Sequence, residues 1–297
     1  MLLKNNVKGV IALILLAFGF ASVAIYTRYL SGYLSLSQQL YLTLGAAFIL
    51  SLFIFPRSLS VFRLRKIPKK DLVIMLFRIT LGYIIGASLY REAIVLTKIS
   101  NVTFIQSIPF ASVFGFILFK EKFTIDKLLL LIVAYIGVIL ISVKDYSSVF
   151  TVGTGELFSF ISAALFSLSY LCRKWQSNFL NDKEITQILL FMSFVTFFVI
   201  SLVNGEILPT VSWQIGLFSV ILLAGFFNVA NNFLINFGFK NVKAVLAGNI
   251  LTLEGIFALV LAFVFYQELP NLKEFIGGML IIGSVIQMNR VESKVAT

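Results

Sequence analysis

Glu254 stands in the middle of AVLAGNILTLEGIFALVLAFVFYQE, the 25 residues from Ala244 to Glu268. A carboxylate half-way along an apolar helix is costly against lipid. It must face other helices or a water-filled cavity, where it can accept hydrogen bonds, hold a cation or carry a proton. Asn249 lies about 140° around the same helix, so the two side chains would occupy opposite shoulders of one inward face. Upstream, LLAGFFNVANNFLINFGF carries Asn228, Asn231, Asn232 and Asn236 within an arc of about 140°. Such a stripe can tie neighbouring helices together, or it can read an uncharged or zwitterionic ligand through paired donors and acceptors. Four amides exceed what helix packing usually requires, which favours a polar cavity.

A second set lies in LFRITLGYIIGASLYREAIVL. Arg78 either snorkels to the membrane surface or turns inward to attract a carboxylate or phosphate, and both readings stand. Tyr83 points to the same interior, while Gly82 and Gly86 form a small-residue face for close helix approach. Arg91 and Glu92 form an interfacial pair or an outer gate. Gln106 and Pro109 interrupt the following apolar run, and Gln106 joins the candidate binding set. Tyr170 completes it, and Phe18, Phe20, Tyr90 and Phe166 are aromatic candidates beside it. The expected binding set is therefore Arg78, Tyr83, Gln106, Tyr170, Asn228, Asn232, Asn249 and Glu254.

Composition limits the chemistry. Hydrophobic residues make up 59% of the 297 and charged residues 12%, about half the usual charge of a soluble domain, so the chain belongs in a bilayer. There is no histidine and one cysteine, Cys172, which removes Ser-His-Asp triads, cysteine metal clusters and disulfides within the chain. No G-x-x-x-x-G-K-[ST] loop occurs, so any coupling is to a gradient of ions or solute. Neither cofactor nor metal is expected.

Ten spans hold these residues: about 8–27, 38–55, 72–96, 101–119, 127–143, 155–175, 185–203, 213–239, 244–266 and 273–289. With the N-terminus cytoplasmic, 18 of the 24 lysines and arginines fall in inside loops, and four (Arg28, Lys98, Lys144, Lys273) fall outside. Arg78 and Arg91 lie within the third span. The net charge of +11 is thus topogenic and speaks for lipid contact rather than nucleic acid. The expected location is the cell (inner) membrane, multi-pass, with both termini cytoplasmic.

The chain also repeats. Gly9 and Gly155, Phe20 and Phe166, and Arg28 and Lys174 are 146 apart, while Glu121 and Glu268 are 147 apart. Two halves of five spans follow, residues 1–145 and 146–297. Because five is odd, the second half enters the membrane from the opposite side. The expected fold is an all-α integral membrane protein of ten transmembrane helices in two inverted five-helix repeats.

At these residues the chain resembles the drug/metabolite transporter superfamily and, within it, the ten-helix EamA-type proteins. Four stretches carry the resemblance: AFGFASVAIYTR, GELFSFISAALFSLSY, QSIPFASVFGFILFKE and LEGIFALVLAFVFYQE. In the last, Gly255 stands where the family has proline. The resemblance covers essentially the whole chain and implies a cavity enclosed by helices 1–4 and 6–9, with helices 5 and 10 peripheral. It implies no particular substrate. The expected function is alternating-access transport of a small organic metabolite, with amino acid export as the first choice. Alternatives are a membrane-embedded lipid-modifying enzyme and a non-transporting scaffold or receptor. Expected partners are a small-molecule substrate and the lipid bilayer, and a homodimer is left open.

Overall fold

The computed structural model describes residues 2–56, 58, 61–96, 102, 105–122, 124–142, 153–206, 209–266 and 272–295. Among them every regular element is helical. The first half begins with α1 (Leu2–Ser31) and α2 (Leu36–Ile54). Ser35 caps α2: its Oγ accepts from the Gln38 N–H while the Gln38 side chain accepts from the Ser35 N–H. After a single turn at Val61–Leu64 comes one long rod, made of α3 (Lys69–Arg78), a π-helical stretch (Ile79–Ala87) and α4 (Ser88–Leu96). Then follow α5 (Phe110–Leu118) and α6 (Ile125–Ser142).

The second half has α7 (Thr154–Leu171), which tightens into a 3₁₀ turn at Cys172–Trp175. Next are α8 (Asp182–Val203), N-capped by Asn181 and Glu184, and α9 (Ile215–Asn241). The chain ends with α10 (Ala244–Leu251), α11 (Glu254–Tyr266) and α12 (Leu272–Val295). Among the described residues, six helical segments are long and apolar enough to cross a membrane by themselves: α1, α2, the rod from Lys69 to Tyr90, α7 through Trp175, α8 and α9.

Two runs are interrupted, one where Gln106 and Pro109 mark it and one that reads as continuous. Between Gln106 and Phe110 the helix breaks at Ser107–Pro109, as the proline demands. The run from Ala244 also divides, at Thr252–Leu253, and this corrects the expectation of one unbroken helix. No proline is involved. Thr252 donates both its N–H and its hydroxyl to the Asn249 carbonyl, at 3.2 and 2.6 Å, and Leu253 N–H bonds Ile250 O at 3.0 Å. These bonds span three residues instead of four, so the turn tightens and the helix axis restarts at Glu254. The two breaks are 145 residues apart, at equivalent places in the two halves.

The helices pack in antiparallel pairs that cross between the halves. Gly9, Gly19 and Tyr26 of α1 meet Val242, Asn231 and Phe227 of α9 and its exit. Gly45 and Ser51 of α2 meet Phe194 and Gln187 of α8. Ser112 and Gly115 of α5 lie on Gly248 and Val245 of α10, and Leu130 and Gly137 of α6 lie on Ser284 and Gly277 of α12. The rod follows the same pattern, with Arg78, Gly82 and Gly86 opposite Ser169, Phe166 and Ser162 of α7. In each pair one number rises as the other falls. The largest buried cluster gathers Leu13, Leu16, Ala111, Leu131, Phe239, Leu246, Ile281 and their neighbours, from both halves.

Candidate functional site

The third rod explains how the site is held. A π-helical stretch is wider than an α-helix and loosens the regular backbone ladder. Here three hydroxyls accompany it. Ser169 Oγ donates to Arg78 O at 3.0 Å, Ser162 Oγ to Gly86 O at 2.8 Å, and Ser88 Oγ to Ile84 O at 2.6 Å. Gly82 and Gly86 bring the rod so close to α7 that a Cβ at Gly82 would lie 2.7 Å from Ser169 Oγ. The glycine pair therefore packs helices, as expected of a small-residue face.

From the middle of this rod the Tyr83 hydroxyl donates to Asn232 Oδ1 of α9 at 3.0 Å. Asn232 in turn donates to Asn228 O, and Asn228 to Ala224 O, both at 3.0 Å. The amide stripe thus splits. Asn228 and Asn232 stay on the Tyr83 side and brace their own helix. Asn236 donates to Thr186 Oγ1 of α8 at 3.0 Å, and Asn231 lies against Gly19 of α1, where a Cβ would come within 1.9 Å of its oxygen. Two of the four amides are therefore packing groups. The expectation that all four share one cavity is corrected: a stripe about 140° wide reaches three neighbouring helices.

Glu254 opens α11 immediately after the break. Its carboxyl is an electrostatic neighbour of Tyr90 on α4 and Tyr170 on α7, and Tyr170 is in turn a neighbour of Tyr83 and Arg78. Glu254, Tyr83, Tyr90, Tyr170 and Asn228 are each half-buried. Aromatic rings surround this group. Tyr170 stacks on Phe20 and Phe166 with centroids at 5.6 and 6.3 Å, and Tyr90 meets Phe166 at 6.3 Å. Farther along α1, Phe18 meets Phe257 of α11 at 5.6 Å and Tyr26 stacks on Phe227 at 6.4 Å.

Three expected site residues sit elsewhere. Asn249 is fully buried and donates to Ser284 Oγ at 2.9 Å, which itself bonds Leu130 O. It locks α10 between α6 and α12 and shares no face with Glu254, because the break at Thr252–Leu253 separates their helices. Gln106 donates to Ser159 O at 3.1 Å and so pins the first break to α7. Arg78 is 4% exposed and donates from Nη1 to Gln176 Oε1 at 3.0 Å, so it does not snorkel to the membrane surface. The Arg91 side chain lies outside the described residues, and Glu92 is exposed. Tyr26, Phe227, Phe239 and Phe257 join these rings without having been singled out beforehand. Tyr26 had a signal, since it closes the AFGFASVAIY stretch that holds Phe18 and Phe20.

At one end of the bundle, close to Arg78, the halves are clasped. The Glu121 carboxylate accepts from the N–H groups of Ala244 and Val245 at 2.7 and 3.0 Å, capping α10. Lys174 Nζ donates to Val242 O at 2.6 Å and lies 5.7 Å over the Phe119 ring. Glu268, the repeat counterpart of Glu121, lies outside the described residues.

No curated protein matches the chain. A solved crystal structure, described only as that of a protein, has a TM-score of 0.79 to it at 14% identity, over 99% of each chain. That likeness concerns the fold alone. The sequence model of the EamA-like transporter family matches the chain twice, over residues 7–143 and again over 153–290. With two family units laid end to end across a multi-pass, all-helical chain, this protein belongs to the EamA-like transporter family of the drug/metabolite transporter superfamily.

Proposed function

We propose that the protein is a secondary transporter moving a small organic metabolite across the cell (inner) membrane by alternating access, with an amino acid or related zwitterion as its substrate class. The observation that carries this reading is the cluster that brings Glu254 and the Tyr83–Asn232 pair together with stacked rings from α1, α4 and α7. A zwitterion needs a place for each of its charges. The Glu254 carboxylate suits an ammonium group, and the faces of Tyr170 and Tyr90 add cation–π attraction. The tyrosine hydroxyls and the Asn228 and Asn232 amides suit a carboxylate through hydrogen bonds. Substrate contact is thus assigned to Tyr83, Tyr170, Asn228, Asn232 and Glu254. Arg78 stands behind them as a fixed charge, while Gln106 and Asn249 hold the helices.

Antiparallel pairing of every helix with one from the other half supports two inverted repeats, residues 1–145 and 146–297, that rock about the site. Paired breaks in the fourth and ninth spans support it further, because interrupted helices at equivalent places often flank a transport site. The loop charges support cytoplasmic termini.

The test is flux of radiolabelled amino acids into proteoliposomes, with Glu254→Gln beside the parent protein. A carboxylate that meets an ammonium is worth about 1.5–3 kcal/mol, so Glu254→Gln should lower flux roughly tenfold or more while the protein stays folded. Parent-level transport by Glu254→Gln, together with a lowered melting temperature, would make Glu254 a structural residue and remove the site assignment. Failure of every amino acid to move would reject the substrate class.

A further inference from the structure

Beside the clasp, the 3₁₀ turn at Cys172–Trp175 borders a cavity of about 530 Å³, lying between the ends of α5, α7 and α9. None of its lining residues belongs to the cluster around Glu254. Its walls carry three cations, Arg173, Lys174 and Lys240, and no carboxylate.

Gln176 is the informative wall residue. It is 8% exposed, and its Oε1 is fixed by the Arg78 guanidinium at 3.0 Å. The carbonyl end of the amide is therefore assigned, and the two hydrogens on Nε2 must point the other way. Nε2 is buried and has no hydrogen-bond partner. A buried donor left without an acceptor is uncommon in folded proteins and calls for an explanation.

The surrounding charges are only partly balanced. Arg173 is bound by Asp182, at 3.2 Å from Nε and 2.6 Å from Nη2. Lys174 feels Glu121 and, in opposition, Lys243, but the Glu121 oxygens are occupied by the Ala244 and Val245 N–H groups. Lys240, in the last turn of α9, is exposed. Three cationic side chains line the cavity, and Gln176, which lines it too, has an unused Nε2 donor. Trp175 is 37% exposed and stacks on Phe119 at 5.4 Å, an indole at the end of a membrane helix, where such rings sit level with lipid headgroups.

We propose that this pocket is an anion site for a phosphate ester, held by Lys174, Lys240 and the Gln176 amide, beside Trp175. A phosphodiester supplies the acceptor oxygens that Gln176 lacks and the negative charge that Lys240 and Lys174 call for. Its source is either the headgroup of an anionic phospholipid or a soluble phosphate ester. The proposal does not rest on the transport reading and survives if no amino acid is moved.

The experiment uses the full chain in a non-ionic detergent, in a Trp213→Phe background that leaves Trp175 as the sole tryptophan. Emission of Trp175 is followed during titration with dihexanoyl-phosphatidylglycerol, with sn-glycerol 3-phosphate and with dihexanoyl-phosphatidylcholine. The expected result is a saturable change with phosphatidylglycerol that weakens with added salt, and at least a tenfold loss of affinity in Lys240→Gln, an exposed position that leaves the fold intact. Saturation by glycerol phosphate at equal or lower concentration identifies the soluble ester as the source, and its failure identifies the lipid. Equal response to phosphatidylcholine, no response to either anion, or unchanged affinity in both Lys240→Gln and Lys174→Gln would overturn the proposal.

Discussion

Tyr83 does two things at once. Its hydroxyl reaches across from the π-helical rod to Asn232, and its half-buried ring neighbours Tyr170. Removing the hydroxyl separates these roles. Tyr83→Phe keeps the ring but leaves Asn232 Oδ1 without its donor, which costs about 1–3 kcal/mol for a buried acceptor. The expected outcome is a lower melting temperature in detergent together with weaker substrate binding; unchanged values of both would mean that water replaces the hydroxyl freely. The site was partly legible from residue types. Glu254, Tyr83, Tyr170, Asn228 and Asn232 stood out because polar groups are rare in such apolar runs. The direction of each amide was not legible. Asn249 turns to Ser284 and Asn236 to Thr186 because partners on distant helices decide which rotamer is satisfied, and helical spacing carries no trace of those partners.

Among elements, the interrupted ninth span is the feature that periodicity hid. Its apolar run holds no proline, and Gly255 offers no proline-like stop. Thr252, with its hydroxyl turned back onto the Asn249 carbonyl, makes the local break together with three-residue backbone bonds. The π-helical stretch escaped notice for a similar reason, since its supporting hydroxyls, Ser162 and Ser169, come from another helix. Six spans were legible among the described residues because length and hydropathy alone mark them. Close approach of α5 and α10 gives a sharp test at this scale. A Cβ at Gly248 would lie 2.4 Å from Ser112 Oγ and 2.7 Å from its backbone nitrogen, whereas nothing lies within 4 Å of one at Gly283. Gly248→Ala should therefore destabilise the protein by about 1–3 kcal/mol through overpacking. Gly283→Ala should be neutral or stabilising by roughly 0.5–1 kcal/mol, since alanine is the better helix former. Thermal unfolding of both variants in one detergent compares them directly.

For the molecule as a whole, the loop charges set a direction that can be measured. In a Cys172→Ala background, a cysteine placed at the exposed Asn204 should react with an impermeant maleimide from outside intact cells, and one at the exposed Lys66 should react only after lysis. The reverse pattern would turn the protein over in the membrane and move the basic pocket beside Trp175 to the outer leaflet.

Antiparallel pairing between halves has a consequence for how the protein is made. Helix α1 finds its main neighbour in α9, α2 in α8, α5 in α10 and α6 in α12. A ribosome that has finished the first five spans has therefore delivered helices whose principal contact faces are bare, and they must wait in the bilayer until the second half arrives. On this packing neither half should be a self-sufficient folding unit, even though the family model matches each of them. Residues 1–145 or 146–297 produced alone should be degraded rapidly in the membrane, and the two produced together as separate chains should rescue each other and co-purify. Their lifetimes after synthesis is blocked measure this directly. A long-lived lone half would mean that copies of one repeat can pair among themselves, as the two repeats do here.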